Sequence, residues 1–140
     1  MDELVLQWLH EARVMSAQVD STITLDLDLG LDFDLEDPDR GGRIILALQG
    51  VIAASIELHG DETSVPAAPA DLVGTEILHA EPTAGGADVL MEANASRGHQ
   101  FSTLRVSYRE LVVLTSRGEI LDHEEFDRRM TVAAGSGLTP

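Results

Sequence analysis

Residues 23–36 read ITLDLDLGLDFDLE, and apolar and polar side chains alternate along nearly the whole stretch. Successive side chains of a β-strand point to opposite faces, so this period of two predicts a strand with one apolar and one polar face. The run is longer than an ordinary strand, and Gly30 marks the place where we expect a bulge or a bend. We interpret the stretch as one bent strand of a sheet.

More strands follow this one along the chain. Turn-forming residues occupy 37–42, and the apolar stretches 43–48 and 51–58 then predict a hairpin partner. The segment 44–48 lacks alternation, which predicts burial on both faces. The segment 60–74, with its prolines and small residues, is predicted to be an irregular loop. Later strands are predicted at 75–80, 88–95 and 104–115. No internal repeat is visible in the sequence.

The predicted fold is α+β and mostly β, with an N-terminal helix packed on a strongly bent antiparallel sheet or open barrel of about six to seven strands. The helix is placed at residues 2–17, because one set of apolar residues falls at three- and four-residue spacing. This set is Val5, Trp8, Leu9, Ala12 and Met15. Residues 1–132 are predicted to form a single domain, and residues 133–140 a flexible tail.

The composition excludes several kinds of chemistry. The 140 residues carry a net charge of −16, from 25 acidic and 9 basic residues, so binding to nucleic acid is disfavoured. Every basic residue is an arginine, which excludes Schiff-base chemistry and a phosphate loop of the GxxxxGK[ST] type. Without cysteine there is no disulfide, thiolate nucleophile or cysteine-ligated zinc. We therefore expect no cofactor and no catalytic residue.

Neither an export signal nor a membrane span is visible. The chain starts MDELVLQWLHEA, which lacks the positive leader of a secretory signal. The longest apolar run, around 44–56, is shorter than the ~20 residues that cross a bilayer. A soluble, cytoplasmic protein without membrane contacts is the expectation.

A row of carboxylates lies on the polar side of the first strand. Its members, the predicted partner-binding residues, are Asp26, Asp28, Asp32, Asp34 and Glu36. Neighbours along a strand face are about 6 to 7 Å apart, within the screening length of about 8 Å, so these charges repel one another. The row is either a hydrated face that protects a strand from aggregation or a recognition surface for a basic partner. A calcium-binding EF-hand loop does not fit, because Gly30, Leu31 and Asp37 occupy its fifth, sixth and twelfth positions.

Other polar groups offer weaker candidates. His59, His79 and His99 are evenly spaced, and an alternative function is a small metal-dependent enzyme or ligand-binding barrel that uses them. The chain has neither an HxH pair nor an HExxH motif, so no metal site is predicted. Arg105 and Arg109 could form an anion site, although pairing with the acidic row is the favoured interpretation.

Two stretches carry a family resemblance: GRIILALQGVIAASIEL at 42–58 and FSTLRVSYRELVVL at 101–114. They resemble small β-rich immunity proteins of bacterial toxin systems. The resemblance implies inhibition by binding, in which the protein occupies the active site or basic groove of a toxin and the acidic row imitates phosphate charge.

The predicted function is thus a non-enzymatic, immunity-like inhibitor of a basic partner protein, for which a toxin is one candidate. An acidic secretion chaperone is a further alternative, although such chaperones usually have a second long helix after the first strands. The sequence leaves the oligomeric state open, with a homodimer as one option.

Overall fold

A computed structural model describes residues 2–30, 42–60, 63–92 and 101–138. Within these residues there are three helices and ten strands. The helices are α1 (Glu3–Leu6), α2 (Pro69–Leu72) and α3 (His123–Leu138). The strands are β1 (Arg13–Val19), β2 (Thr22–Asp28), β3 (Arg43–Gln49), β4 (Ala53–Leu58), β5 (Thr63–Pro66), β6 (Glu76–Thr83), β7 (Gly86–Glu92), β8 (Phe101–Ser107), β9 (Glu110–Thr115) and β10 (Ile120–Leu121).

The strands form one open antiparallel sheet in the order β10-β9-β3-β2-β1-β6-β7-β8-β4-β5. A mostly β fold is confirmed, but the described residues contain ten strands where six to seven were predicted. The predicted helix and the predicted loop at 60–74 account for two of the additional strands, β1 and β5. In the middle of the sheet β1 and β6 pair through one residue pair, Arg13 and Glu76. This seam separates a first half (β10-β9-β3-β2-β1) from a second half (β6-β7-β8-β4-β5).

The two halves repeat each other strand for strand. In each half three consecutive strands form a meander, after which the chain crosses to the other half and adds a hairpin at its outer edge. The first strand of each meander contains one extra residue at the same place, Met15 in β1 and Leu78 in β6. This repeat is one of structure and is not visible in the sequence, because the halves share backbone pairing rather than residue types.

Backbone hydrogen bonds across the seam follow the same twofold pattern. The amide of Val14 donates to the carbonyl of Thr75 at 2.9 Å, and the amide of Ile77 donates to the carbonyl of Ala12 at 2.8 Å. Val14 and Ile77 are equivalent residues, each just before the extra residue of its strand. Two further bonds complete the pattern, from the amide of Gly74 to the carbonyl of Val14 at 2.8 Å and from the amide of Glu11 to the carbonyl of Ile77 at 2.6 Å. The seam is thus held by two symmetric pairs of backbone bonds.

The two crossings between halves lie side by side. The amide of Ile52, entering β4, donates to the carbonyl of Ser107 at 2.8 Å, and the amide of Arg109, entering β9, donates to the carbonyl of Gln49 at 2.9 Å. Gly50 has a φ of +65°, and a Cβ there would lie 2.9 Å from the Arg109 side chain. Glycine is therefore required both for its conformation and for the close approach of the two crossing segments.

The inner faces of both halves share one hydrophobic core. In β2 the buried residues Ile23, Leu25 and Leu27 alternate with half-exposed neighbours, as predicted. The predicted strand runs on to Glu36, but residues 31–41 lie outside the described residues. Pairing of β2 with β3 confirms the predicted hairpin partner at 43–48, whereas the predicted continuation at 51–58 is wrong, because β4 pairs with β5 and β8 in the second half.

The predicted helix at 2–17 is wrong beyond its first turns. Helix α1 covers only Glu3–Leu6, and residues 13–19 form β1. Glu11 has a φ of 69°, so the backbone leaves the helical conformation there. The following residues pair with β2 instead, because tertiary pairing overrides a local helical pattern. Val5 and Leu9 are buried as the helical pattern required, whereas Met15 is 41% exposed.

The C-terminal segment is helical as far as Leu138 and so includes most of the residues predicted as a tail. Phe126, Met130 and Ala133 are buried at helical spacing along α3, which explains why this segment is folded onto the core. The carboxylate of Asp127 accepts a hydrogen bond of 2.7 Å from the indole N–H of Trp8, and this contact ties α3 to the N-terminal segment. No helix among the described residues is long and apolar enough to cross a membrane.

Candidate functional site

The described part of the acidic row lies on the outward face of the first half. Asp26 and Asp28 alternate with the buried Leu25 and Leu27 and are partly exposed. The other predicted members, Asp32, Asp34 and Glu36, lie outside the described residues. The two described carboxylates therefore face away from the core, as predicted.

Asp26 is already paired with an arginine. Its carboxylate accepts two hydrogen bonds from Arg43, at 2.9 Å from Nη2 and 3.3 Å from Nε. These bonds raise the pKa of the Arg43 guanidinium above its usual value. Asp28 lies in register between Arg13 and Arg43 on the neighbouring strands. The negative charge of the first two members of the row is thus partly neutralised by arginines on the neighbouring strands, which the sequence pattern did not predict.

The favoured pairing of Arg105 with the acidic row does not occur at the described members of the row, Asp26 and Asp28. Arg105 lies on β8 in the second half, where its guanidinium contacts the carboxylate of Glu57 at 3.0 Å. The alternation of the two late arginines was visible in the sequence, but the half to which their strand belongs was not. Arg109 lies at the crossing between the halves, away from the acidic row.

Next to Asp26 the outward face becomes aliphatic. We call this surface the aliphatic face, and it consists of Ile45, Ala47, Val112, Leu114 and Ile120. These residues are direct cross-strand neighbours: Ile45 faces Leu114, Ala47 faces Val112, and Leu114 faces Ile120. Ile120 is 74% exposed. The aliphatic face is therefore continuous across β3, β9 and β10.

The second half has polar residues at all of the equivalent positions. We call this surface the polar face, and it consists of Thr103, Arg105, Ser55, Glu57 and Ser64 in the same order. The register is the same as in the first half: Thr103 faces Glu57, Arg105 faces Ser55, and Glu57 faces Ser64. A hydrated outward face of this kind is usual for an antiparallel sheet, so the first half is the exception.

A shallow depression joins the aliphatic face to the acidic row. It is about 290 Å³ in volume and is lined by Asp26, Arg43, Ile45 and Ser116. An aliphatic wall beside an exposed ion pair can accommodate a long side chain that is apolar along its stem and charged at its tip.

The histidines do not form a site among the described residues. Nε2 of His59 lies 2.7 Å from the hydroxyl of Thr103, whereas His79 lies on β6, two strands away from β8, with Nε2 3.5 Å from Glu81. His99 is outside the described residues. No group of three or more potential metal ligands occurs within the ranges that the structure describes.

A polar cluster near the N-terminus was missed by the sequence analysis. The hydroxyl of Tyr108 donates to the carboxylate of Asp2 at 2.8 Å, and Nδ1 of His123 lies 3.9 Å from the same carboxylate. Nε2 of His123 is 2.9 Å from the carbonyl of Leu111. Burial, and then the bond to Asp2, raise the pKa of Tyr108. The cluster fastens the chain start to the crossing and to α3, which is a structural role.

The aliphatic face was also missed, although it left a signal. The absence of alternation in 44–48 predicted burial on both sides of the strand, and Ile44, Leu46, Ala47 and Leu48 are indeed buried. Ile45 is only half-buried, because nothing in the described structure covers its side of β3 completely. An apolar residue at an outward position was the signal.

Comparison of the chain with models of protein families, with curated proteins and with solved structures finds no match.

Proposed function

We propose that this chain is a non-enzymatic protein-binding module, an immunity-like inhibitor that presents the acidic side of its first half to a basic partner protein. The observation that carries the proposal is the outward position of Asp26 and Asp28 on β2, in a chain with a net charge of −16. On the sequence pattern alone, the proposal extends along the row to Asp32, Asp34 and Glu36.

Electrostatics supports a basic partner. A large negative field accelerates the encounter with a cationic protein, and complementary charges fix its orientation. The existing pair of Asp26 with Arg43 does not oppose this, because both side chains are about one-third exposed. Exposed ion pairs contribute only about 0 to 1 kcal/mol, so a cation of the partner can replace or join Arg43 at little cost.

The test begins with in-cell photo-crosslinking in the native host. A benzoylphenylalanine is placed at Thr24, which lies beside Asp26 on the outward side of β2, and in a matched control at Asp88, the equivalent residue of β7. We expect an adduct with a basic protein from Thr24 and none from Asp88. An acidic or neutral partner, or no adduct, would contradict the proposal.

Binding of the captured partner is then measured at several salt concentrations. We expect the affinity to fall roughly tenfold from low to physiological salt, mainly through the association rate. A variant with Asp28→Asn, Asp32→Asn and Asp34→Asn leaves the pair of Asp26 with Arg43 intact and should bind more weakly, with a smaller salt dependence. The control is Asp88→Asn on the second half. Equal binding by the triple variant and the parent would mean that the acidic row serves only to keep the protein dispersed.

A further inference from the structure

The two halves provide an internal comparison for every outward residue. Both halves have the same strand order and the same register, so each residue of the aliphatic face has one polar equivalent. A solvent-exposed sheet face needs polar side chains, and the polar face has them. The aliphatic face departs from this at every equivalent position: Ile120 is exposed, Ile45, Val112 and Leu114 are half-buried, and Ala47 is buried between them. A contiguous apolar surface that is partly exposed is typical of binding sites.

Charge identifies the kind of molecule that would cover the aliphatic face. The charged residues that border it are mainly acidic: the carboxylates of Asp26, Asp28, Glu110 and Glu119 outnumber the guanidinium groups of Arg43, Arg109 and Arg117. An apolar centre with a charged rim is the usual anatomy of a protein interface. The complementary surface has an apolar centre with a rim of arginine or lysine.

A second copy of the chain or an anionic bilayer fits this rim poorly. Two copies would bring together surfaces of proteins that each carry −16, and anionic lipid would meet the same carboxylates. Like charges placed opposite each other oppose association. A cationic protein is the occupant that satisfies both the apolar centre and the rim.

We infer that the aliphatic face is the central contact of the complex, and that it docks a cationic protein whose contact surface has an apolar centre surrounded by basic side chains. The inference rests on the proposed function and adds that the contact surface of the partner has an apolar centre. The depression beside Ile45 receives a basic side chain of the partner, whose stem packs on Ile45 while its tip reaches the carboxylate of Asp26.

The experiment uses the full chain with benzoylphenylalanine at Ile120 on β10 and, as a matched control, at Ser64, the equivalent edge-strand residue of β5. In the native host we expect Ile120 to give an adduct with the same basic protein that is captured from Thr24, and Ser64 to give none. An adduct of two copies of the chain, or an adduct with an acidic protein, would overturn the inference.

Affinity then separates the apolar contact from the electrostatic one. The variant Ile45→Thr, Val112→Ser, Ile120→Ser transfers the uncharged residues of the polar face to the aliphatic face. It should weaken binding of the captured protein roughly 30-fold, because apolar area is lost from the interface. The salt dependence should stay unchanged, because the substitutions remove no charge that salt could screen. The single variant Ile120→Ser, at the most exposed position, tests the same point if the triple variant folds poorly. Ser64→Ile is the control and should have no effect.

The two proposals fail in different ways. If Thr24 captures a basic protein whose affinity falls with salt, but the aliphatic variants bind it as the parent does, the inference is wrong and the proposed function stands. If neither Thr24 nor Ile120 captures a basic protein, both are wrong.

Discussion

The two halves of this molecule have the same backbone and different surfaces. Both have a meander with one extra residue in its first strand, a crossing, and a hairpin at the outer edge. Their inner faces are alike, since equivalent residues such as Leu27 and Met91 are both buried. Their outward faces differ at the five equivalent positions compared above, where the aliphatic face of the first half corresponds to the polar face of the second. Folding therefore constrains the inner side of each strand, and the outer side is free to acquire a function.

If the inner faces form one core, substitutions at equivalent core positions should lower the free energy of unfolding by similar amounts. Leu27→Ala in the first half and Met91→Ala in the second each remove a side chain that is at most 1% exposed. We expect each to lower the free energy of unfolding by about 3 kcal/mol, in a single transition. Denaturant unfolding followed by Trp8 fluorescence and by circular dichroism measures this. Two separate transitions would break the comparison, because the halves would then unfold independently.

The halves differ in the space around the first residue of the second strand in each meander, which is β2 in the first half and β7 in the second. Gly86 pairs with Ser107, and a Cβ on Gly86 would lie 1.9 Å from the carbonyl oxygen of Val106. The equivalent residue, Thr22, carries a side chain opposite Gln49. We expect Gly86→Ala to cost about 2 kcal/mol, because backbone must move, whereas Thr22→Ala should cost less than about 1 kcal/mol. Equal costs in denaturant unfolding would count against the close contact.

The residue that follows β8 is a tyrosine, whereas Gly50 follows β3. The pKa of Tyr108 is raised by burial and by its bond to Asp2, so the folded state favours the neutral phenol. The contribution of the neutral phenol to the free energy of unfolding is fully present below about pH 10, the pKa of tyrosine in the unfolded chain. It is lost as the pH rises above that value, and by pH 11 the loss is about 1 kcal/mol. Tyr108 is the only tyrosine in the chain, so absorbance at 295 nm reports its ionisation alone. Tyr108→Phe should abolish the alkaline loss, and a tyrosine that ionises near pH 10 in the native protein would refute the assignment.

Each outward face has a cross-strand ion pair that can be compared with one in the other half, and both should be weak. Arg43 contacts Asp26 at 2.9 Å in the first half, and Arg105 contacts Glu57 at 3.0 Å in the second. Double-mutant cycles with Asp26→Asn, Arg43→Gln and with Glu57→Gln, Arg105→Gln should each give a coupling of about 0.5 kcal/mol that declines with salt. A coupling above about 2 kcal/mol at Asp26 would mean that the pair is effectively buried and that a cation of a partner could not replace it.

The parts of the fold that the sequence predicted are those in which local pattern and tertiary environment agree. In β2 the alternation follows directly from one buried and one exposed face. The helix at 2–17 was wrong because the three- and four-residue spacing of Val5, Leu9 and Ala12 also suits a short helix, a turn with a left-handed residue at Glu11, and a strand. Local spacing cannot distinguish these when β2 supplies a pairing edge.

The candidate site was predicted in part for a similar reason. The outward position of Asp26 and Asp28 depends on strand period alone, so it could be predicted. The aliphatic face depends on which strands are neighbours, since Ile45, Leu114 and Ile120 come from separate parts of the chain and meet only through the crossing. The repeated strand pairing of the two halves could not be predicted from the sequence, because the same backbone pairing is compatible with different outward side chains.

The crossing has a consequence for how the molecule can come apart. Each meander is completed by a hairpin that the other meander supplies, so neither half holds all of its own strands in one continuous segment. A fragment ending after β5 would expose its last two strands, and we expect it to bury them by exchanging hairpins with a second fragment. In the intact chain this exchange is intramolecular, and the two halves are interlocked in the manner of a domain-swapped dimer joined into one polypeptide.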